Sequence, residues 1–435
     1  MSETIYALAS GPPPSGVAVI RVSGPDVFSI GRAMAGRELA PRHASYAMLR
    51  DKAGRPLDRA VALLFPGPRS FTGEDVLELQ CHGGRAVVEA IGRCLREDHG
   101  VRHAEPGEFT LRAHLNGRID LVEAERLGDL VHAETEAQHR LAMSDLGRRN
   151  AMLYETWRTD LTELRALVEA SLDFADEDDA PVTISPEAKR RLSELRDALA
   201  QHLDGTRAVE IVRDGFRVVL TGPPNAGKSS LLNALAAREV AIVTAVPGTT
   251  RDVLDVPLDM GGYRVVLADT AGLREAEDEV EAIGVARARE RIADADLVLD
   301  LRPPGGSMPS NTSPADHRVV PIGTKVDLDE PSPGTALGIS AVTGEGLEEL
   351  IALIADRAAR DAWRDRDGGP GAPLAERHVR HLRRCLEILP SPDAEPDELW
   401  ADALRRAAGE LGRITGSADI ERVYDVIFSR FCMGK

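Results

Sequence analysis

The stretch Thr221 to Ser230, TGPPNAGKSS, restricts this chain more than any other. The run Arg217-Val218-Val219-Leu220 leads into it, and the helix-patterned Leu231-Leu232-Asn233-Ala234-Leu235 leads out. A strand, G-x-x-x-x-G-K-[ST] and a helix, in that order, read as a P-loop. Gly222 and Gly227 let the backbone close around a triphosphate. The loop from Asn225 through Ala226 and Gly227 then points its N–H groups inward, Lys228 reaches the β and γ phosphates, and Ser229, followed by Ser230, offers a hydroxyl to Mg²⁺.

At 435 residues the chain has room for about three domains at roughly 150 residues each. Its formal net charge of −18 argues against a broadly basic nucleic-acid-coating surface, so any RNA contact must come from a local patch or a partner, and DNA binding is disfavoured. Cys81, Cys94, Cys385 and Cys432 show neither C-x-x-C pairing nor zinc-finger spacing. So few thiols suit a reducing, cytoplasmic setting. No apolar run approaches the roughly 18 residues of a membrane span, and Met1-Ser2-Glu3-Thr4 lacks a signal-peptide pattern. Aromatics are only 4% of residues, which disfavours stacking platforms for single-stranded nucleic acid.

From Ile5 to about Leu95, short apolar runs alternate with turns: Val17 to Ile20, Arg59 to Phe65 and Val76 to Cys81, with a hairpin turn at Asp51-Lys52-Ala53-Gly54 and helical spacing over Ala86 to Arg96. This predicts a mixed α+β domain. Within it Arg21 and Glu78 are charges among apolar neighbours, the pattern of the wet face of a half-buried strand. After Glu105-Pro106-Gly107 the spacing turns helical, with one stripe at Leu121, Ala124, Leu127, Leu130 and Val131 and another at Trp157, Leu161, Leu164, Leu167 and Val168. Asp176 to Asp179 reads as a solvated turn, and Pro186 to His202 as a further helix. Strands at Phe216 to Leu220, Tyr263 to Ala268, Leu297 to Leu301 and Val319 to Ile322 then alternate with helices, as a parallel doubly wound sheet requires. Helical spacing resumes over Leu374 to Leu389 and from Leu399 onward, so the nucleotide-binding domain is read as inserted into a helical one.

Four downstream motifs specify the nucleotide and its metal. At Asp269-Thr270-Ala271-Gly272 a carboxylate ends a strand and a glycine opens a loop, as in the motif that holds Mg²⁺ through water and senses the γ-phosphate. In Thr324-Lys325-Val326-Asp327, Asp327 accepts from both N1–H and N2–H₂ of guanine, a donor pair adenine lacks. Ser340-Ala341-Val342 supplies a backbone N–H for O6, and Gly248-Thr249-Thr250 a hydroxyl, Thr250, to complete the Mg²⁺ shell.

The set GPPNAGKSS, PGTTRD, DTAG and TKVD resembles the TrmE–Era–Septin-like GTPases. With SFTGEDVLELQ, LNGRIDLVEAE and FCMGK around it, the whole chain resembles the MnmE (TrmE) family of tRNA modification GTPases. The resemblance implies an α+β folate-binding and dimerisation domain over 1–116, an all-α helical domain over 117–208 and 366–435, and an inserted α/β P-loop GTPase domain over 209–365. It implies a homodimer that joins the FAD protein MnmG (GidA) in a heterotetramer and modifies C5 of the wobble uridine of certain tRNAs, adding carboxymethylaminomethyl from a folate one-carbon unit. Leu273 stands where other GTPases carry a water-orienting Gln. By resemblance Glu281 positions the attacking water, and K⁺ takes the place of an arginine finger. Asn225, Thr244, Val246 and Thr249 would hold the K⁺, with Ala245 and Pro247 in the same GTP-binding loop; Arg251 and Arg274 are alternative fingers. For 5-formyl- or methylene-tetrahydrofolate the matching positions are Arg21, Glu78, Arg118 and Lys435. Cys432 matches the family's C-terminal cysteine, as a reactive or an inert thiol, although Met433 replaces the usual Ile, Leu or Val. The GTPase motifs alone also suit an RNA-binding ribosome-assembly or signalling GTPase without modification activity. The acidic composition and FCMGK argue against that alternative.

Overall fold

In the computed structural model, which describes residues 3–178, 185–238, 255–269, 290–305, 317–362, 371–391, 398–417 and 434, the chain divides into two compact units. One holds Met1–Gly128, Ala151–Ile184 and Glu395–Lys435; the other holds Asp129–Asn150 and Ser185–Ala394.

In the first unit, strands β1 (Ile5–Leu8), β2 (Ser15–Ser23), β3 (Ser45–Arg50), β4 (Pro56–Phe65), β5 (Val76–Gly83) and β6 (Arg102–His103) form one sheet in the order β3-β4-β5-β2-β1-β6. All neighbours are antiparallel except β1 and β6. Alternation sorts the side chains. Ala18, Ile20 and Val22 of β2 and Leu77, Leu79 and Cys81 of β5 face a core shared with Val27, Ile30 and Met34 of α1 (Val27–Ala35) and Ile91 of α2 (Arg85–Arg93). The expected helix to Arg96 changes character instead, since Cys94–Asp98 forms a π-helical turn. Arg21, between Ile20 and Val22, points to the other face.

Helices α3 (Glu108–Leu115) and α4 (Leu121–Val131) follow, with Leu121 and Ala124 packed on Leu111, Ile119 and Leu127. Two stripes spaced alternately three and four apart are buried in this unit. One is Tyr154, Trp157, Leu161, Leu164 and Val168 of α6 (Leu146–Asp178), reached after α5 (Glu136–Met143) of the second unit. The other, Trp400, Leu404, Ala407, Leu411 and Ile414, lies on the helix Glu398–Thr415. Leu167, expected on the buried stripe, is instead 43% exposed. It adjoins Val168 but is rotated about 100° away.

The second unit continues through α7 (Pro186–Asp204) and α8 (Thr206–Arg213) into β7 (Phe216–Thr221), α9 (Lys228–Arg238), β8 (Asp255–Met260), β9 (Tyr263–Asp269), β10 (Leu297–Arg302), β11 (Val319–Thr324), β12 (Leu337–Ile339), α10 (Leu347–Asp361) and α11 (Glu376–Ile388). The helix Glu398–Thr415, the last among the described residues, is α12. The sheet order is β12-β11-β10-β7-β9-β8. Five strands run parallel, as the alternating pattern predicts, but β8 is antiparallel to β9. Only Gly261 and Gly262, both at positive φ, join these two strands, and so short a link permits a hairpin and no crossover. Helix α5, more than a hundred residues upstream, packs here too: Ala137 joins the core of the sheet and its N–H donates to Gly262 O at 2.9 Å. A capping box between Thr135 and Gln138 starts that helix.

Candidate functional site

The P-loop is shaped by backbone that few side chains permit. Gly222 takes φ +138, and a β-carbon there would stand 2.5 Å from Leu301 O of β10. Asn225 and Gly227 follow at φ +61 and +96, which folds the loop back over the start of α9. Ala226 is buried in the core, which anchors the loop from below. Lys228, 8% exposed, donates from Nζ to Gly222 O and Pro223 O, both at 3.0 Å. Its ammonium is thus drawn across the loop, and Ser229 and Ser230 are exposed in the first turn of α9. A Lys charge, a helix N-terminus and a hydroxyl in one turn suit a triphosphate and its Mg²⁺.

The residues expected to specify the base lie at the same edge, the C-terminal ends of parallel strands, where such sheets bind ligands. Thr324 ends β11 with its Oγ1 buried and no hydrogen-bond partner among the described residues. Lys325 turns the chain at φ +60, Val326 N donates to Ile339 O at 3.3 Å, and Asp327 is exposed. The buried Ser340 organises the next loop. Its Oγ accepts from Val342 N at 3.3 Å and Thr343 N at 3.1 Å, while Ser340 N donates to Glu345 O and Gly344 N to Ser340 O, both at 2.9 Å.

Not every expected site residue can be placed. Asp269 is the last residue of β9, whereas Thr244, Ala245, Val246, Pro247, Gly248, Thr249, Thr250, Thr270, Ala271, Gly272, Glu281, Cys432 and Lys435 lie outside the described residues.

On the open face of the first sheet the structure joins two of the expected folate residues. Arg21 and Glu78 stand directly opposite each other on β2 and β5, and Glu78 Oε1 accepts from Arg21 Nε and Nη2, both at 2.9 Å. The Arg21 guanidinium lies over the Phe71 and Phe109 rings, 5.1 and 5.7 Å from their centroids. It also donates to Gly434 O at 3.4 Å. Arg118 is exposed but adjoins the same segment, because a β-carbon on Gly73 would stand 3.2 Å from Arg118 Cγ. Phe71, Phe109 and Gly434 were not singled out in the sequence. The signal was the motifs SFTGEDVLELQ and FCMGK, which contain Phe71 and Gly434. A planar ligand with carboxylates fits aromatic rings, a guanidinium and a carboxylate whose Oε2 has no hydrogen bond among the described residues.

The thiols Cys81 and Cys94 lie in the core on the other face of this sheet and are protonated. Burial pushes Cys81 up to about 11 and Cys94 up to about 12. Among the described residues no helix is long and apolar enough to cross a membrane.

Comparison with known proteins covers both units. The profile of the MnmE helical domain matches residues 121–432, and that of the GTP-binding protein TrmE N-terminus matches residues 4–118. The tRNA modification GTPase MnmE of Rhizobium johnstonii is 49% identical over 442 residues, covering 100% of this chain and 99% of that one. That of Rhizobium etli is 50% identical over 445 residues, with the same coverage. The G domain of the T. maritima FeoB iron transporter aligns with 33% of this chain and 98% of its own at 28% identity, but its TM-score of 0.24 is too low to bear on the fold. Two family profiles that together reach from residue 4 to residue 432, and relatives alike along their whole length, place the chain in the MnmE (TrmE) family of tRNA modification GTPases.

Proposed function

We propose that the chain hydrolyses GTP as a K⁺-dependent enzyme and, with an MnmG-type FAD partner, modifies the wobble uridine of certain tRNAs with a folate-derived one-carbon unit. The observation that carries this reading is the P-loop, whose buried Lys228 spans the Gly222 and Pro223 carbonyls at the head of α9. Ser229 and Thr250 would hold Mg²⁺, which neutralises charge on the phosphates. Asn225 already turns at positive φ and offers an amide oxygen to K⁺, beside Thr244, Val246 and Thr249. Glu281 would position the attacking water. The folate would lie on the Arg21–Glu78 pair, with Arg118 and Lys435 toward its carboxylates. The proposed division into domains at 1–116, 117–208 with 366–435, and 209–365 belongs to the same reading, as do a homodimer and a cytoplasmic location.

The test is GTP turnover in K⁺ against Na⁺ at equal ionic strength. Turnover should be faster in K⁺, and Asn225→Ala or Glu281→Ala should lower it by about 10²-fold, the usual worth of an electrostatic or water-positioning group. A change under about threefold in either variant would remove that residue's assigned role.

A further inference from the structure

Helix α9 meets the nucleotide site at both ends. Its first turn carries Lys228 and Ser229, and its last residue is Arg238. Gly344, in the loop that would face the guanine O6, takes φ +83, and the three atoms nearest to where its β-carbon would stand all belong to the Arg238 guanidinium, with Cζ at 3.2 Å and Nε at 3.8 Å. The other sides of this loop are held differently. Ser340 pins it from within, and at Gly346 a β-carbon would stand 3.1 Å from Ile339 Cγ2 of β12. Val342, at the turn, is 86% exposed.

We propose that Arg238 is a positioning residue for guanine recognition, its planar guanidinium lying on the Gly344 backbone and holding the Ser340–Gly346 loop against the base. Val342 N–H and Thr343 N–H are directed to Ser340 Oγ, which leaves Ala341 N–H to meet O6. A loop released from Arg238 keeps its internal hydrogen bonds but lets that N–H drift, so the O6 contact weakens first. Asp327 belongs to another loop, and its contact with the 2-amino group is untouched. The same helix also carries the phosphate-binding lysine, so the brace ties the two ends of the nucleotide site together. Glycine at 344 is required by its φ of +83, which L side chains rarely adopt.

The inference rests on the GTP reading above, and three nucleotides separate the two. GDP, inosine diphosphate and 2,6-diaminopurine riboside diphosphate are titrated calorimetrically into the full-length chain and its Arg238→Ala and Arg238→Lys variants. Inosine keeps O6 and N1–H and lacks the 2-amino group; diaminopurine keeps the 2-amino group and lacks O6 and N1–H, a loss at Asp327 that is the same in every variant. Both variants should bind GDP and inosine diphosphate about fivefold more weakly, the low end of typical coupling, with diaminopurine binding unchanged. Lysine fails because it keeps the charge without the planar face. Equal weakening of all three nucleotides, the signature of a loosened α9, overturns the assignment, and so does an unchanged preference for GDP over the diaminopurine nucleotide. Failure of the unaltered chain to bind GDP would instead sink the GTP reading itself.

Discussion

Gly222 and Arg21 show how much a single residue decides. Gly222 sits at φ +138 with Leu301 O where a β-carbon would go. Gly222→Ala should therefore cost about 2 kcal/mol or more in stability and abolish measurable GDP binding, with thermal melting and calorimetry as the readouts. Near-normal GDP affinity would show that the loop relaxes. Arg21 is held by Glu78, two rings and the Gly434 carbonyl, with its side chain 18% exposed. Losing one such charged group should weaken 5-formyl-tetrahydrofolate binding by about tenfold or more. An Arg21→Ala variant with unchanged folate affinity would make the pair a structural strut. The sequence displayed Arg21 and Glu78 as charges among apolar residues, which fits a wet strand face equally well. Only the register, which sets them opposite each other beside Phe71, separates a pair from two solvated charges.

Helices and strands carry the next level. The doubly wound sheet was legible because buried parallel strands read as continuous apolar runs between helical spacings. The antiparallel β8 was not, since a strand of mixed burial at a sheet edge lacks that run. Helix α5 was hidden for another reason: periodicity locates a buried face but does not name what covers it, and Ala137 found the P-loop core across a long stretch of chain. Thr135→Ala, which removes the α5 capping box, should cost about 1 kcal/mol, read as a lowered melting temperature of the nucleotide-binding unit. Farther along, the chain passes a buried cluster in which Asn150 Nδ2 donates to Ala372 O at 2.7 Å and His202 lies beneath Gly371. Burial, helped by the neighbouring His378 and opposed by a Gly371 backbone hydrogen bond, pulls His202 down to about 4. The unfolded chain takes up this proton below about 6.5 and the folded chain only below about 4, so stability is whole above that window and falls as pH drops through it. Between pH 7 and pH 5 the loss from His202 should reach about 2 kcal/mol, and His202→Gln should flatten that part of the urea-midpoint profile. An unchanged slope would mean that the folded imidazole takes up its proton as readily as the unfolded one.

The whole molecule adds two expectations, one on assembly and one on coupling. Light scattering should give about 94 kDa, twice the 46.9 kDa chain, in keeping with the preference for two-fold assemblies. A monomer at micromolar concentration would remove the dimer. The second begins at Gly434, the one described residue beyond Ser417. It is buried against β1, where a β-carbon would stand 2.7 Å from the Leu8 carbonyl carbon, and its own carbonyl takes the Arg21 hydrogen bond. Gly434 therefore adds a backbone carbonyl to the Arg21–Glu78 pair, although the nucleotide motifs lie in the other compact unit. If that site binds the folate, removing Phe431 to Lys435 deprives it of a wall and leaves the P-loop untouched. Wobble-uridine modification should be lost while GTP affinity stays within about threefold, because coupling between distant sites seldom exceeds a few kcal/mol. Gly434→Val makes the same test with one residue, since its side chain must displace either the Leu8 backbone or the chain end. Nucleoside mass spectrometry on tRNA from a strain lacking the gene and supplied with each variant reads the outcome. Restoration of the modified uridine by the truncated chain would show that the C-terminal segment serves neither the site nor its coupling to GTP, and the roles assigned to Cys432 and Lys435 would fall with it.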